Sequence, residues 1–281
     1  MIKFSHPGKI GDLLYSLHYC IDRMNAEGEK QFIFNIKTNT SPIQINPQWN
    51  DSTPLLSDKD AQFIKPLLEA QPYIAQVTIN ADEGIKLYQY MCCQLNQMSG
   101  ELRDYYYQID DNMYPREFWK PLIQAEPNEA WAHYSDCICF AYTGRYTNLL
   151  VDWKALEPYA GSMVLLGTDE EHENFCNKFF KVNGLTTSDS DSMLDCARVI
   201  ATCRGFLGGQ SGLYALAEMM KVPRILITPD WMIPDGAEPF NGQIRAVPGS
   251  KNVLPLGGEC CTVNRTERLI WAVEAMLKKP L

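Results

Sequence analysis

The stretch RGFLGGQSGLYALAE, residues 204–218, decides the predicted fold of this chain. Its apolar run Gly205-Phe206-Leu207 is followed by two glycines, and small and apolar residues recur at helical spacing from Ser211. The pattern predicts a buried strand, a tight turn and a helix that begins at Ser211. Free amides at such a helix start attract an anion, for which a diphosphate is the natural candidate. The alternative interpretation is that Ser211 only caps the helix.

Strand and helix patterns alternate on both sides of this stretch. The first half predicts strands at 1–5, 31–36 and 72–79, a helix at 59–68, and a helix after residue 11 that Asp12 caps. The second half predicts strands at 137–141, 162–166, 205–207 and 223–227, with helices at 153–159, 167–182, 192–203, 211–220 and 265–278. Such alternation is typical of parallel sheets with helical crossovers. We therefore expect an α/β protein with two Rossmann-like domains, residues 1–130 and 131–281.

Composition narrows the function classes. The formal net charge is -9 and the basic residues form no stripe, which argues against a nucleic-acid partner. No apolar run approaches the roughly 20 residues of a transmembrane helix, and the first residues lack the features of a secretion signal. The ten cysteines are scattered and are expected to be reduced thiols. These features predict a cytoplasmic protein without a transmembrane segment.

The order of features after the glycine turn points to a known family. Gln210-Ser211-Gly212 precedes a helix rich in small residues, which is followed by Val222-Pro223 and the apolar run 224–227. This order resembles the C-terminal half of the family 9 glycosyltransferases, the heptosyltransferase-like group with the GT-B fold. Gln210 stands where that family usually has an acidic residue, and Ala215 where it often has a histidine. The resemblance implies two Rossmann-like domains that face a cleft, the first for the acceptor and the second for the nucleotide-sugar donor.

The N-terminal loop resembles the same family. Gly8-Lys9-Ile10-Gly11-Asp12 is similar to its glycine-containing loop that ends in Gly-Asp, which implies that Asp12 is the general base toward the acceptor hydroxyl. A carboxylate suits that role, because the attacking hydroxyl must lose its proton. A purely capping role for Asp12 is the alternative. The predicted acceptor-loop residues are His6, Gly8, Lys9 and Gly11.

Further donor contacts are expected at the ends of neighbouring strands. Thr143-Gly144-Arg145 follows the first strand of the second half, where paired guanidinium donors suit a leaving diphosphate, although an exposed loop arginine is the alternative. Residues 167–171 resemble the family's Gly-x-x-x-Glu turn, and Thr228 follows the strand after the glycine turn, where it is placed to line the nucleoside pocket. The predicted donor-binding residues are Thr143, Gly144, Arg145, Gly209, Gln210, Ser211, Gly212, Leu213 and Thr228.

No metal or cofactor is expected beyond the donor itself. Asp189-Ser190-Asp191 has the form of a metal-binding DxD motif, but it directly precedes a predicted helix, where Ser and Asp act as caps. The predicted function is transfer of a sugar from a nucleotide diphosphate sugar to a glycan or other hydroxyl acceptor, with inversion and without a metal. The alternatives are a non-catalytic nucleotide- or sugar-binding protein of the same fold and a nucleotide-sugar epimerase.

Overall fold

The structure is a computed structural model that describes residues 1–45, 52–81, 84–87, 106–107, 121–143, 148–209, 211–227 and 260–278. The chain divides into two compact units. The described residues up to Gln124 belong to the first unit and those from Ala125 to the second. Over these described ranges, each unit contains one sheet in which every pair of neighbouring strands is parallel. The α/β class expected from the alternating pattern is confirmed.

The first unit contains a four-stranded sheet of order β3-β2-β1-β4. Helix α1 forms because its apolar residues recur at helical spacing and are buried. It ends before Gly28, whose positive φ of 70° provides the left-handed turn that often follows a helix. The elements are β1 Lys3–His6, α1 Ile10–Ala26, β2 Phe32–Ile36, α2 Pro42–Ile45, α3 Asp58–Glu69, β3 Ile74–Ile79 and β4 Ile85–Lys86.

Two elements of this unit escape prediction from the sequence. Helix α2 is a single turn between the predicted strand at 31–36 and the predicted helix at 59–68, and β4 is a two-residue strand at the sheet edge. Both are too short to produce a hydrophobic period. Gly84 permits the approach of β4, because a Cβ atom there would lie 2.9 Å from the carbonyl oxygen of Lys3, and its φ of +125° disfavours any other residue.

The second unit contains a six-stranded sheet of order β10-β9-β8-β5-β6-β7. Strands β5, β6, β8 and β9 are buried throughout, as expected for a parallel sheet covered on both faces. Short 3₁₀ segments span Glu129–Tyr134 and Trp153–Ser162. The other elements are β5 Ile138–Ala141, β6 Met163–Leu166, α4 Asp169–Lys178, β7 Asn183–Leu185, α5 Met193–Thr202, β8 Gly205–Gly208, α6 Gly212–Met219, β9 Arg224–Ile227, β10 Cys260–Val263 and α7 Thr266–Lys278.

Helix α4 is shorter than predicted. A capping box fixes its start, in which Thr168 accepts from the amide of Glu171 and Glu171 accepts from the amide of Thr168. The helix ends at Lys178 instead of near residue 182, because the chain then turns into the three-residue strand β7. The Gly-x-x-x-Glu turn at 167–171 is therefore a helix start in which the glutamate carboxylate binds the chain's own backbone.

Candidate functional site

The second sheet changes its winding direction between β5 and β8. From β5 the chain proceeds outward through β6 and β7, and it then returns to the other side of β5 for β8, β9 and β10. Crossovers diverge at such a point and leave a crevice beyond the carboxyl ends of the two strands. Ligands of open α/β sheets bind preferentially in this position. After the donor ligand predicted there from the sequence, we give the name donor edge to the carboxyl ends of β5, β8 and β9 with the described residues that directly follow β5 and β8.

The donor edge brings together residues that are far apart in the sequence. Thr143 follows β5, and Gly209 follows β8. Both residues line one depression. The threonine and the glycine turn, which were predicted separately, therefore lie at one point of the sheet. The depression is lined by Ala141, Tyr142, Thr143, Asn148, Trp153, Gly209 and Ile227.

Helix α6 begins at this edge. Some of the backbone amides in its first turn donate hydrogen bonds to Ser211, and others do not. The Ser211 hydroxyl accepts from the amide of Tyr214 at 3.2 Å, and the Ser211 carbonyl accepts from the amide of Ala215 at 2.9 Å. Ser211 is therefore the N-cap, as one interpretation of the sequence held. Neither bond uses the amides of Gly212 and Leu213, both half-buried. These amides carry the positive end of the helix dipole, which favours an anion.

Asn148 and Trp153 are among the five lining residues of the depression that were not predicted as site residues. Asn148 is buried, and its side chain accepts from the amide of Leu150 at 2.8 Å and donates to the carbonyl of Asn264 at 3.4 Å. Trp153 packs in an aromatic cluster, with its ring centroid 5.7 Å from those of Phe140 and Phe175. The asparagine lies in a polar loop without a period, so the sequence offers no signal for its place. Four predicted donor residues lie outside the described residues, namely Gly144, Arg145, Gln210 and Thr228.

The first sheet has an equivalent point between β1 and β4. The chain winds from β1 to β2 and β3 on one side, and β4 lies on the other side of β1. The glycine loop that follows β1 therefore lies at the carboxyl edge of the sheet where the winding changes. After the acceptor predicted there from the sequence, we give the name acceptor edge to the carboxyl end of β1 with this loop and the first turn of α1. Lys9 is exposed there, Gly8 is buried, and Gly11 is half-buried.

Asp12 is not the N-cap of helix α1, so the prediction from the sequence that it caps this helix was wrong. The carbonyl of Lys9 accepts from the amide of Leu13 at 2.9 Å, which makes Lys9 the N-cap and Ile10 the first helical residue. Asp12 is consequently the third residue of the helix and is half-buried. The sequence suggested a later start because Gly11 looked like part of the loop. A carboxylate in the first turn is favoured by the helix dipole.

His6 supports the acceptor edge from inside the unit. Its side chain is 0% exposed, and Nδ1 accepts from the amide of Gly8 at 2.9 Å. The ring proton is therefore on Nε2, which lies 3.1 Å from the hydroxyl oxygen of Tyr106. That hydroxyl donates to the backbone carbonyl of Asp12 at 2.7 Å. The ring thus contacts the loop backbone and not the solvent.

The architecture is shared with two solved structures. No protein-family model and no curated protein matches the sequence. A family 9 glycosyl transferase from Veillonella parvula DSM 2008 has a TM-score of 0.54 at 11% identity, over 100% of this chain and 90% of that chain. The E. coli ADP-heptose lps heptosyltransferase II has a TM-score of 0.57 at 12% identity, over 99% and 98% of the two chains. The chain has the fold of these glycosyltransferases. The resemblance to family 9 is thereby confirmed at the level of the fold.

The DxD-like segment is engaged in a turn. Asp189 accepts from the amide and the hydroxyl of Thr186, at 3.2 Å and 3.1 Å. Its carboxylate therefore closes the turn ahead of α5. Within the described ranges, no three His, Cys, Asp or Glu side chains are grouped so that they could hold a metal ion. None of the helices described has the length and apolar character needed to cross a bilayer.

Burial of His6 predicts a pH dependence of stability. Burial lowers the pKa of the His6 imidazole to about 3, from an ordinary value of about 6.5. Between these values the unfolded chain binds a proton that the folded chain does not, so the free energy of unfolding falls as the pH decreases from 6.5 toward 3. His6→Asn, which does not titrate, should flatten this dependence by up to about 1.4 kcal/mol per pH unit. Urea unfolding of both proteins at several pH values measures the difference, and parallel curves would contradict it.

Proposed function

We propose that this protein is a glycosyltransferase that moves a sugar from a nucleoside diphosphate sugar to a hydroxyl acceptor. The observation that carries the proposal is the donor edge, where Thr143, the glycine turn and the start of α6 meet at the winding change of a parallel sheet. Fold alone does not assign an activity, since one fold hosts many functions. The arrangement of small residues and free helix amides supports a ligand with a diphosphate.

The donor site follows from this edge. In the proposal, the β-phosphate lies against the amides of Gly212 and Leu213, and Gly209 leaves room for the approach of the pyrophosphate. The hydroxyl of Thr143 contributes from the neighbouring strand. Arg145, two residues further along, offsets the charge that develops on the leaving diphosphate. The similar E. coli protein is named an ADP-heptose heptosyltransferase, which supports a nucleoside diphosphate sugar as the donor class.

The chemistry requires a base and no covalent intermediate. The Asp12 carboxylate takes the proton of the acceptor hydroxyl as its oxygen attacks the anomeric carbon. The bond between that carbon and the β-phosphate oxygen breaks, and the nucleoside diphosphate leaves with the electron pair. Attack opposite the leaving group inverts the anomeric centre. We propose that no metal takes part, and that acceptor and donor are held in alignment during transfer, because in-line attack needs both substrates aligned.

The first test is binding of the donor's nucleotide part. We expect a nucleoside diphosphate at 100 times its dissociation constant to raise the free energy of unfolding by about 2.7 kcal/mol. Thermal unfolding with each common nucleoside diphosphate measures this, and EDTA should not abolish the shift. Absence of a shift with all of them would contradict the donor edge. A strict dependence on manganese would contradict the metal-free proposal and direct attention to Asp189-Ser190-Asp191.

The two alternative functions also predict a thermal shift with a nucleoside diphosphate, but they predict different products. A non-catalytic binding protein would bind the nucleotide without turnover, and an epimerase would convert the nucleotide sugar without an acceptor. Ala215, one of the two departures from the family pattern, is completely buried, so it presents no surface to a ligand. Product analysis with and without acceptor separates the three functions.

A further inference from the structure

We propose that Tyr106, supported by His6, is a positioning residue that fixes the glycine loop and the first turn of α1 in the geometry that Asp12 needs as a base. The inference deepens the proposed function and rests on it. Tyr106 lies 100 residues from His6 and 94 residues from Asp12 in the sequence, and it is completely buried.

The proposal is carried by a chain of three hydrogen bonds with one consistent direction. The Gly8 amide donates to His6 Nδ1, His6 Nε2 donates to the Tyr106 hydroxyl oxygen, and that hydroxyl donates to the Asp12 carbonyl. A neutral imidazole satisfies this order with a single tautomer. Each donor and acceptor in this series has a hydrogen-bond partner. In a buried environment, a polar group without a partner would be destabilising.

The two ends of this series of hydrogen bonds lie on either side of the segment 9–11. Gly8 precedes the segment and Asp12 follows it, so the hydrogen bonds connect its two ends through the interior of the unit. Gly8 and Gly11 give the backbone of this region more freedom than other residues would. A fixed Asp12 carbonyl defines the direction of the Cα–Cβ bond of the same residue, and a misplacement of about 1 Å can cost a catalyst about 10²-fold in rate.

The adjacent tyrosine provides a matched comparison. The Tyr107 hydroxyl donates to the buried Asp22 carboxylate at 2.5 Å, and its ring lies edge-on to Tyr19 with centroids 5.5 Å apart. Tyr107 therefore also binds helix α1, but ten positions beyond Asp12 (22 − 12). Loss of its hydroxyl removes a buried hydrogen bond to the same helix without touching the acceptor edge.

The experiment compares Tyr106→Phe with Tyr107→Phe in the full-length protein. Amide hydrogen exchange of residues 8–13 measures how firmly the backbone of the loop is held, and it requires no known substrate. We expect exchange there to rise about 10-fold in Tyr106→Phe and to stay near wild type in Tyr107→Phe, because one lost hydrogen bond changes a local equilibrium by about that factor. In single-turnover transfer, Tyr106→Phe should be about 10- to 100-fold slower with unchanged donor affinity.

Each result decides the proposal. Unchanged exchange of residues 8–13 in folded Tyr106→Phe overturns it, and so does increased exchange with transfer within twofold of wild type. If the wild-type protein transfers no sugar from any nucleotide donor, the proposed function fails, and the exchange result alone decides whether Tyr106 holds the loop. If Tyr106→Phe does not fold, His6→Asn is judged by the same measurements, because its Oδ1 can still accept from Gly8 while the shorter side chain places no donor at the position of His6 Nε2.

Discussion

Asp12→Asn is expected to slow sugar transfer by about 10² to 10⁴-fold, the usual range for a lost acid-base group. The amide cannot take the proton of the acceptor hydroxyl, whereas its size matches the carboxylate. Because Asp12 is the third residue of α1, loss of its charge should lower stability only by about 0.3–1 kcal/mol through the helix dipole. Donor affinity should stay unchanged. Single-turnover transfer at saturating substrates measures the chemical step.

The control for this substitution is Asp60→Asn. Asp60 is also the third residue of a helix, α3, in the same unit, so its replacement removes an equivalent charge from an equivalent position. Its carboxylate additionally accepts from the amide of Ser57, and we therefore expect a larger stability loss with normal transfer. Transfer by Asp12→Asn within about threefold of wild type would show that Asp12 is not the base.

The sheets and the helices that cover them were predictable because each has a period long enough to recognise. Strands such as Arg224–Ile227 are apolar throughout, and the helix Thr266–Lys278 buries one stripe of side chains. The donor edge follows from the same information, since residues after parallel strands meet at one edge. Thr143 and Gly209, which come from separate predicted turns, line the same depression. In these places, the local sequence pattern was sufficient to predict the structure.

The acceptor edge shows what local pattern omits. The start of α1 depends on which carbonyl accepts the Leu13 amide, and Gly11 favoured a later start in the sequence than the structure has. The hydrogen bond between His6 and Tyr106 joins residues 100 positions apart, and the second lies in a stretch without any period. His6 was consequently predicted as an acceptor-loop residue, although its ring is buried inside the unit. Long-range polar pairs have no sequence signal in a single chain.

Gly212→Val is expected to weaken nucleoside diphosphate binding by about 10- to 100-fold, because each charge-assisted hydrogen bond to a phosphate is worth about 1.5–3 kcal/mol. Gly212 is the first residue of α6 and is half-buried at the donor edge. A β-branched side chain there would stand beside the amides of Gly212 and Leu213, on which the diphosphate is proposed to rest. Acceptor affinity should be unaffected, since the acceptor edge belongs to the other unit. Isothermal titration of the diphosphate measures the effect.

Gly161→Val separates a local effect from a general cost of adding a β-branched residue to this unit. Gly161 is exposed, and a Cβ atom there would meet no other atom within 4 Å, so the variant should bind diphosphate like wild type. Circular dichroism and thermal unfolding must first show that Gly212→Val is folded, because valine at a helix start also disturbs the helix itself. A folded Gly212→Val protein with affinity within about threefold of wild type would mean that the phosphates rest elsewhere. The amides at the start of α6 would then serve only the Ser211 cap, as the structural alternative predicts.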